Sequence, residues 1–331
     1  MENISILSLP KELLGLVIDS LDGPARASFG RTCRSLKVLT TPYLYKRAEI
    51  KQDKGTEFAR TVIRNHASLV QHVSMVSKTL RSPCRVAPGL HKLKNLQSLE
   101  LVGPYWMWDS DEKKGKDTEN WAALEKIFWD YLEKASLKHA VGPRVSQKLR
   151  SLTLDRSELS GSAALLQGPQ IFLIPQLVDL KLRGFSFSEL DAEIDYQFER
   201  KTDLQSLRFE NTFVSFEALR SVLRAPRALR CLSIEHREAY SDSEPNNATI
   251  PEFLDALLLH RESLEEIRVG IDAGNGVSAL TVNDAYFQPY ADQFPKMKRW
   301  EGCDQDNLNE FLRPELAPIY MKSDKSSDCS I

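Results

Sequence analysis

The sequence predicts an α/β chain in which three short N-terminal helices precede an irregular solenoid of parallel strands and return helices. Two features carry the prediction. Apolar residues recur at helical spacing over the first fifty positions, and a Leu-x-x-Leu-x-Leu pattern recurs through the rest of the chain. At 331 residues, 42 % apolar and 27 % charged, the chain has globular composition and is long enough for a small domain plus a repeat array.

The first helix opens at Leu9-Pro10-Lys11-Glu12-Leu13-Leu14. Proline suits the first turn, where its missing N–H is not needed, and Glu12 suits the positive end of the helix dipole. Leu13, Leu14, Val17, Ile18 and Leu21 then form one apolar face. Asp22-Gly23 ends this helix, and Pro24 starts a second that carries Ala25, Ala27, Ser28, Phe29 and Cys33. Leu36 and Leu39 lead to Pro42-Tyr43-Leu44-Tyr45. Helices this short bury little apolar surface alone, so the segment is expected to need a partner or an attached domain. A plain cap on the array is the alternative.

The order of these signals resembles the F-box motif, in the variant common in fungal proteins. The match consists of Leu9-Pro10, Glu12-Leu13, Val17-Ile18, Leu21, Thr32-Cys33-Arg34, and Pro42 with Leu44-Tyr45, over roughly residues 4–50. The second helix departs from the motif, with Arg26, Ala27 and Arg31 where leucines are usual. The resemblance implies docking on a Skp-type adaptor, and through it on a cullin scaffold, in an SCF-type ubiquitin ligase. The residues it assigns to the adaptor are Leu9, Pro10, Leu13, Val17, Ile18 and Leu21. Some of these must instead hold the helices together, and the sequence does not divide the two groups.

Six clear copies of the leucine pattern follow: Leu96-Leu99-Leu101, Leu149-Leu152-Leu154, Leu177-Leu180-Leu182, Leu204-Leu207-Phe209, Leu229-Leu232-Ile234 and Leu264-Ile267-Val269. Degraded copies are expected at Val70-Val73-Met75 and Met297-Trp300. The first positions of the clear copies lie 53, 28, 27, 25 and 35 residues apart. Three of these intervals fall in or near the range of about 20–29 residues of leucine-rich repeats, which the array resembles. The last two apolar positions of a copy, two residues apart, face one side of a short strand, and the first leads the chain in. Return helices are expected over Trp121–Leu137, Ser215–Leu223 and Ile250–His260. The implied divisions are a helical domain over 1–50, a helical linker with a candidate first repeat over 51–95, a partner-binding array over 96–320 and a disordered tail over 321–331.

In such an array the residue between the last two apolar positions stands on the open face of the sheet: Glu100, Thr153, Lys181, Arg208, Ser233 and Arg268. The next outward positions are Val102, Asp155, Arg183, Glu210, Glu235 and Gly270. Lys181, Arg183, Arg208 and Arg268 are a candidate basic strip for an acidic or phosphorylated peptide. An ordinary solvated face of mixed charge is the alternative. Tyr105, Trp106 and Trp108, in the longest gap between copies, are candidate contact residues or packing for an inserted loop.

Catalytic and cofactor signatures are missing from the sequence. It contains no Cys-x-x-Cys, His-Glu-x-x-His, phosphate-binding loop or Gly-x-Ser-x-Gly elbow, and Gly270, Gly274 and Gly276 miss the dinucleotide fingerprint. The expectation is therefore no enzyme, no metal and no cofactor. A net charge of -2 gives no general pull toward nucleic acid or an anionic membrane. No apolar run approaches the roughly 20 residues of a membrane span, and the N-terminus lacks the basic region of a secretory signal. Five widely spaced cysteines then point to reduced thiols in the cytosol or nucleus. A non-catalytic repeat scaffold, or an F-box protein acting outside the ligase, is the alternative reading.

Overall fold

The computed structural model describes residues 6–51, 54–76, 85–103, 130–136, 147–155, 164–165, 169–187, 198–214, 216–237, 250–272 and 292–301. The chain divides into two compact units, one of residues 1–135 and 139–154, the other of 136–138 and 155–331. Among the described residues, the strands of the main sheet pair in parallel within each unit.

The first unit starts with α1 (Lys11–Ser20), α2 (Gly23–Arg31) and α3 (Arg34–Lys46). Pro10 sits one residue outside α1, at its N-cap. Asp22 caps α2 by accepting the Ala25 N–H at 2.7 Å, and Gly23 and Pro24 are the first residues of that helix. Pro42 lies inside α3 instead of ending it. It supplies no N–H, and in the turn before it the Thr40 and Thr41 hydroxyls bond the carbonyls of Leu36 and Lys37 at 2.8 and 2.6 Å.

The sheet begins earlier than the sequence predicts. Strand β1 (Arg47–Lys51) runs straight out of α3 and pairs with β2 (His72–Val76), which pairs with β3 (Ser98–Val102); β4 (Ser151–Asp155) is next. Both β1 and β2 reach into the segment expected as a helical linker. The helical part of that segment is short, Gly55–Phe58 and Arg64–His66 joined by one π turn. The degraded copy Val70-Val73-Met75 is a complete repeat, with all three side chains buried.

The second unit repeats this plan with β6 (Asp179–Arg183), β8 (Ser206–Glu210), β10 (Cys231–Arg237), β11 (Glu266–Asp272) and β12 (Arg299–Glu301). Register stacks Leu180, Leu207, Leu232, Ile267 and Trp300 in one inner row and Leu182, Phe209, Ile234 and Val269 in the next. The leading leucine of each clear copy is at most 1 % exposed. The residue after it starts the ladder. The carbonyl of Gln205 accepts the N–H groups of Arg230 and Cys231, that of Arg230 accepts Glu265 and Glu266, and that of Glu265 accepts Lys298 and Arg299. Gln97 does the same in the first unit, with Arg150 and Ser151. Buried backbone is thus paired before the strand proper begins.

Between strands, the predicted helices appear at Phe216–Leu223 and Ile250–Leu257, the latter ending in a 3₁₀ turn over Leu258–His260. Of the helix expected over Trp121–Leu137, residues 130–135 are helical and the segment 104–129 lies outside the described residues. Other returns are 3₁₀ turns, at Ala87–Lys92 and Pro169–Leu173, each carrying a proline. A 3₁₀ turn rises about 2 Å per residue against about 1.5 Å for an α-helix, so it spans a short interval with fewer residues. A second, three-stranded sheet of β5 (Ala164–Leu165), β7 (Phe185–Phe187) and β9 (Phe213–Val214) forms just beyond the strand ends. The chain turns into it at Gly184 (φ 75) and Asn211 (φ 48), both in the left-handed region that these residue types adopt most easily.

His260 ties three parts of this unit together. The Leu229 N–H donates to Nδ1 at 3.3 Å, so the ring proton resides on Nε2 and donates to the Leu223 carbonyl at 2.8 Å. A proton added to Nδ1 would face a donor. Burial pushes this imidazole down to about 4, whereas the unfolded chain binds the proton near 6.5. Between these values the unfolded state holds more protons, so stability falls as the pH falls from about 6.5 toward 4. The loss is on the order of 3 kcal/mol. Denaturant titrations across that window should show a shallower pH slope in His260→Gln than in the natural chain; identical slopes would remove His260 as the cause.

Among the described residues no helix is long and apolar enough to cross a membrane. No group of three or more His, Cys, Asp or Glu side chains among them could hold a metal ion.

Candidate functional site

Helix α1 carries more apolar residues than its unit can bury. Leu14 and Ile18 turn inward and form the core with Leu36, and Phe29, Leu39 and Tyr43 pack against it. A second arc faces out. Leu13 is 49 % exposed and Leu16 is 68 % exposed, and Leu9 and Val17 are exposed beside them. At 100° per residue, Leu13, Leu16 and Val17 fall within one arc of about 100° on α1, and Leu9 lies just ahead of the helix. Ile6 and Leu7, in the turn before α1, are exposed as well.

The six residues assigned by resemblance divide accordingly. Leu9, Pro10, Leu13 and Val17 are exposed, and Leu21 is half-buried. Ile18, at 1 % exposure, is a core residue and is not available to a partner. Leu16 belongs to the outer arc and was not singled out, because a single helical face was drawn through Leu13, Leu14, Val17, Ile18 and Leu21. The signal was present: adding Leu16 makes α1 apolar around more than half its circumference, which one buried face does not require.

Three close contacts hold the helices with so small a core. The guanidinium of Arg26 donates to the carbonyls of Ile18 (3.0 Å), Asp19 (3.0 Å), Leu21 (2.6 Å) and Tyr43 (3.0 Å). Those of Ile18, Asp19 and Leu21 sit at the C-terminus of α1, where the Ile18 carbonyl also accepts the Leu21 N–H, so Arg26 closes α1 and ties it to α3. The arginine that departs from the F-box pattern is therefore a structural clamp. Gly30 lets α2 lie on α3, since a Cβ there would run into the buried Thr40 hydroxyl. Gly15 does the same for the Tyr43 hydroxyl, at 2.6 Å. Tyr45, part of the same motif, stacks on His66 with ring centroids 4.1 Å apart.

The second unit presents the other predicted site. Lys181, Arg208, Ser233 and Arg268 do lie side by side on four neighbouring strands of the open face, with Glu301 beyond them. They do not form a continuous free basic strip. Lys181 pairs with Glu210 at 2.7 Å, and Arg183 pairs with Asp155 at 3.4 Å and Glu210 at 3.8 Å. Arg268 pairs with Glu301 at 2.8 Å and Glu266 at 3.5 Å. The acids come from the same outward-facing strand positions, so the face is one of mixed charge. Burial and the nearby Glu266 carboxylate push the Cys231 thiol up, which keeps it protonated and a poor nucleophile. At the entry edge, hydrogen bonds from Lys298 and Arg230 hold Glu265 below the usual carboxylate range. Tyr105, Trp106 and Trp108 lie outside the described residues.

No family model matches the chain, and no curated protein matches it.

The division of α1 predicts opposite outcomes for neighbouring leucines. The double variant Leu13→Ser, Leu16→Ser should unfold in denaturant within about 0.5 kcal/mol of the natural chain, while Ile18→Ala should cost about 2–4 kcal/mol. Equal losses would place the outer arc in the core. Arg26→Met, which leaves buried or half-buried carbonyls without donors, should cost about 1–3 kcal/mol by the same measurement.

Proposed function

We propose that the chain is an F-box adaptor, the substrate-recognition subunit of an SCF-type cullin–RING ubiquitin ligase. The observation that carries the reading is the outward apolar arc of Leu13, Leu16 and Val17, with Leu9 just ahead of it, set on a three-helix unit that follows the order of the F-box motif. An exposed apolar strip that the fold does not use is the signature of a binding surface. Its leucines would be the anchors in a groove of the Skp-type adaptor, in the manner of an amphipathic helix.

The parallel array supports the second half of the reading. Its inner rows are filled by apolar side chains, which leaves the open face to vary in side chain without cost to the core. The protein then acts by proximity: one surface holds the ligase, the other holds a protein substrate, and bond chemistry belongs to the transferase. No catalytic residue is assigned to this chain.

Capture of a purified Skp-type adaptor on the immobilised full chain tests the reading. The intact chain should retain the adaptor, Leu13→Asp with Leu16→Asp should lose it, and Arg208→Gln should retain it. Failure of the folded, intact chain to retain the adaptor would overturn the proposal and leave a capped repeat scaffold. Equal capture by the Asp variant would remove the outer arc as the docking surface.

A further inference from the structure

Among the described residues, Lys181, Arg183, Arg208, Arg268 and Arg299 stand on the open face of the second unit. Four have carboxylates within ion-pair distance. Arg208, exposed on β8, has no hydrogen bond or ion pair among the described residues. Its isolation follows from its neighbours. Lys181 is directly opposite on β6, a like-charge placement that disfavours the sheet unless something offsets it. Glu210, two residues along from Arg208 on the same face, is taken by Lys181 and Arg183. On the other side stands Ser233, whose small side chain separates Arg208 from Arg268. Neighbouring strands are about 4.8 Å apart, so the two guanidinium-bearing strands lie about 10 Å apart across the serine.

We infer that Arg208 marks the anion subsite of this face, and that its occupant is a single carboxylate side chain on an extended segment of a partner protein, flanked by basic residues. The charge pattern selects this chemistry. One uncompensated cation matches one negative charge. A phosphate dianion would bring a second charge toward Glu210 and Glu266, and a run of acids would meet these carboxylates along with Asp179 and Glu301. Basic residues on either side of the central acid would meet them favourably. The guanidinium fork suits a carboxylate, with the Ser233 hydroxyl as a further donor on the floor.

The inference rests on the reading of the second unit as a partner-binding array, and not on the adaptor contact. Its test is a displayed library of short random peptides selected on the immobilised full chain, followed by fluorescence anisotropy with the selected sequences. The expected peptides carry a central Asp or Glu between Lys or Arg residues. Their binding should weaken about tenfold on Arg208→Gln, a loss of order one charge-assisted contact. Lys181→Gln should weaken it too, because Glu210 is then released to turn to Arg208. Circular dichroism should show both variants folded. Selected peptides that lack an anion, prefer phosphoserine over glutamate at the centre, or bind Arg208→Gln as tightly would overturn the inference and leave the array a partner-binding surface. Enrichment of no peptide would overturn the array reading itself.

Discussion

The guanidinium of Arg26 gathers the carbonyls of Ile18, Asp19, Leu21 and Tyr43, and the arrangement of all three N-terminal helices depends on it. The core these helices share is small, built on Leu14, Ile18 and Leu36, too little apolar burial to fix three helices by itself. Hydrogen bonds to carbonyls at the end of α1 and in α3 make up the difference, and Gly15 and Gly30 leave room for the Tyr43 and Thr40 hydroxyls of α3. A clamp made of polar contacts has a functional consequence. Because the helices are held without Leu13, Leu16 and Val17, those residues are free to remain outside.

A comparable separation runs through the second unit. Inner strand positions form continuous apolar rows, and the ladder of carbonyls at Gln205, Arg230 and Glu265 fixes register before each strand starts. Outer positions are then decoupled from folding. They carry the charges, and the charges satisfy one another across strands: Lys181 with Glu210, Arg268 with Glu301, Lys298 with Glu265. These pairs are partly solvated, so each adds little to stability. Their effect is on selectivity, because they determine which charge on the face is left over.

Much of this was legible in the sequence wherever one rule acted alone. In each of the six leucine triplets the last two positions fall in a strand and the leading one is buried just before it, since period-two alternation and burial agree there. Helices Phe216–Leu223 and Ile250–Leu257 fell where their apolar spacing placed them. What was not legible came from competition or from pairing. Strand β1 has Ala48 and Ile50 as its only apolar residues, and it is a strand because β2 offers it a partner. The return segments contract to 3₁₀ turns because interval length overrides helix propensity. Arg26 read as a defect in the motif because a sequence shows which residue is there and not which carbonyls surround it. The basic strip read as four like charges because the acids that pair with it come from other strands.

In the proposed function α1 serves two partners at once, its own core through Leu14 and Ile18 and an adaptor through the arc on its other side. Hydrogen–deuterium exchange of the full chain, with and without a Skp-type adaptor, tests this most directly. The account predicts slower exchange over Lys11–Ser20 in the complex and unchanged exchange over Ser206–Glu210. Unchanged exchange over Lys11–Ser20 in a complex that demonstrably forms would contradict it.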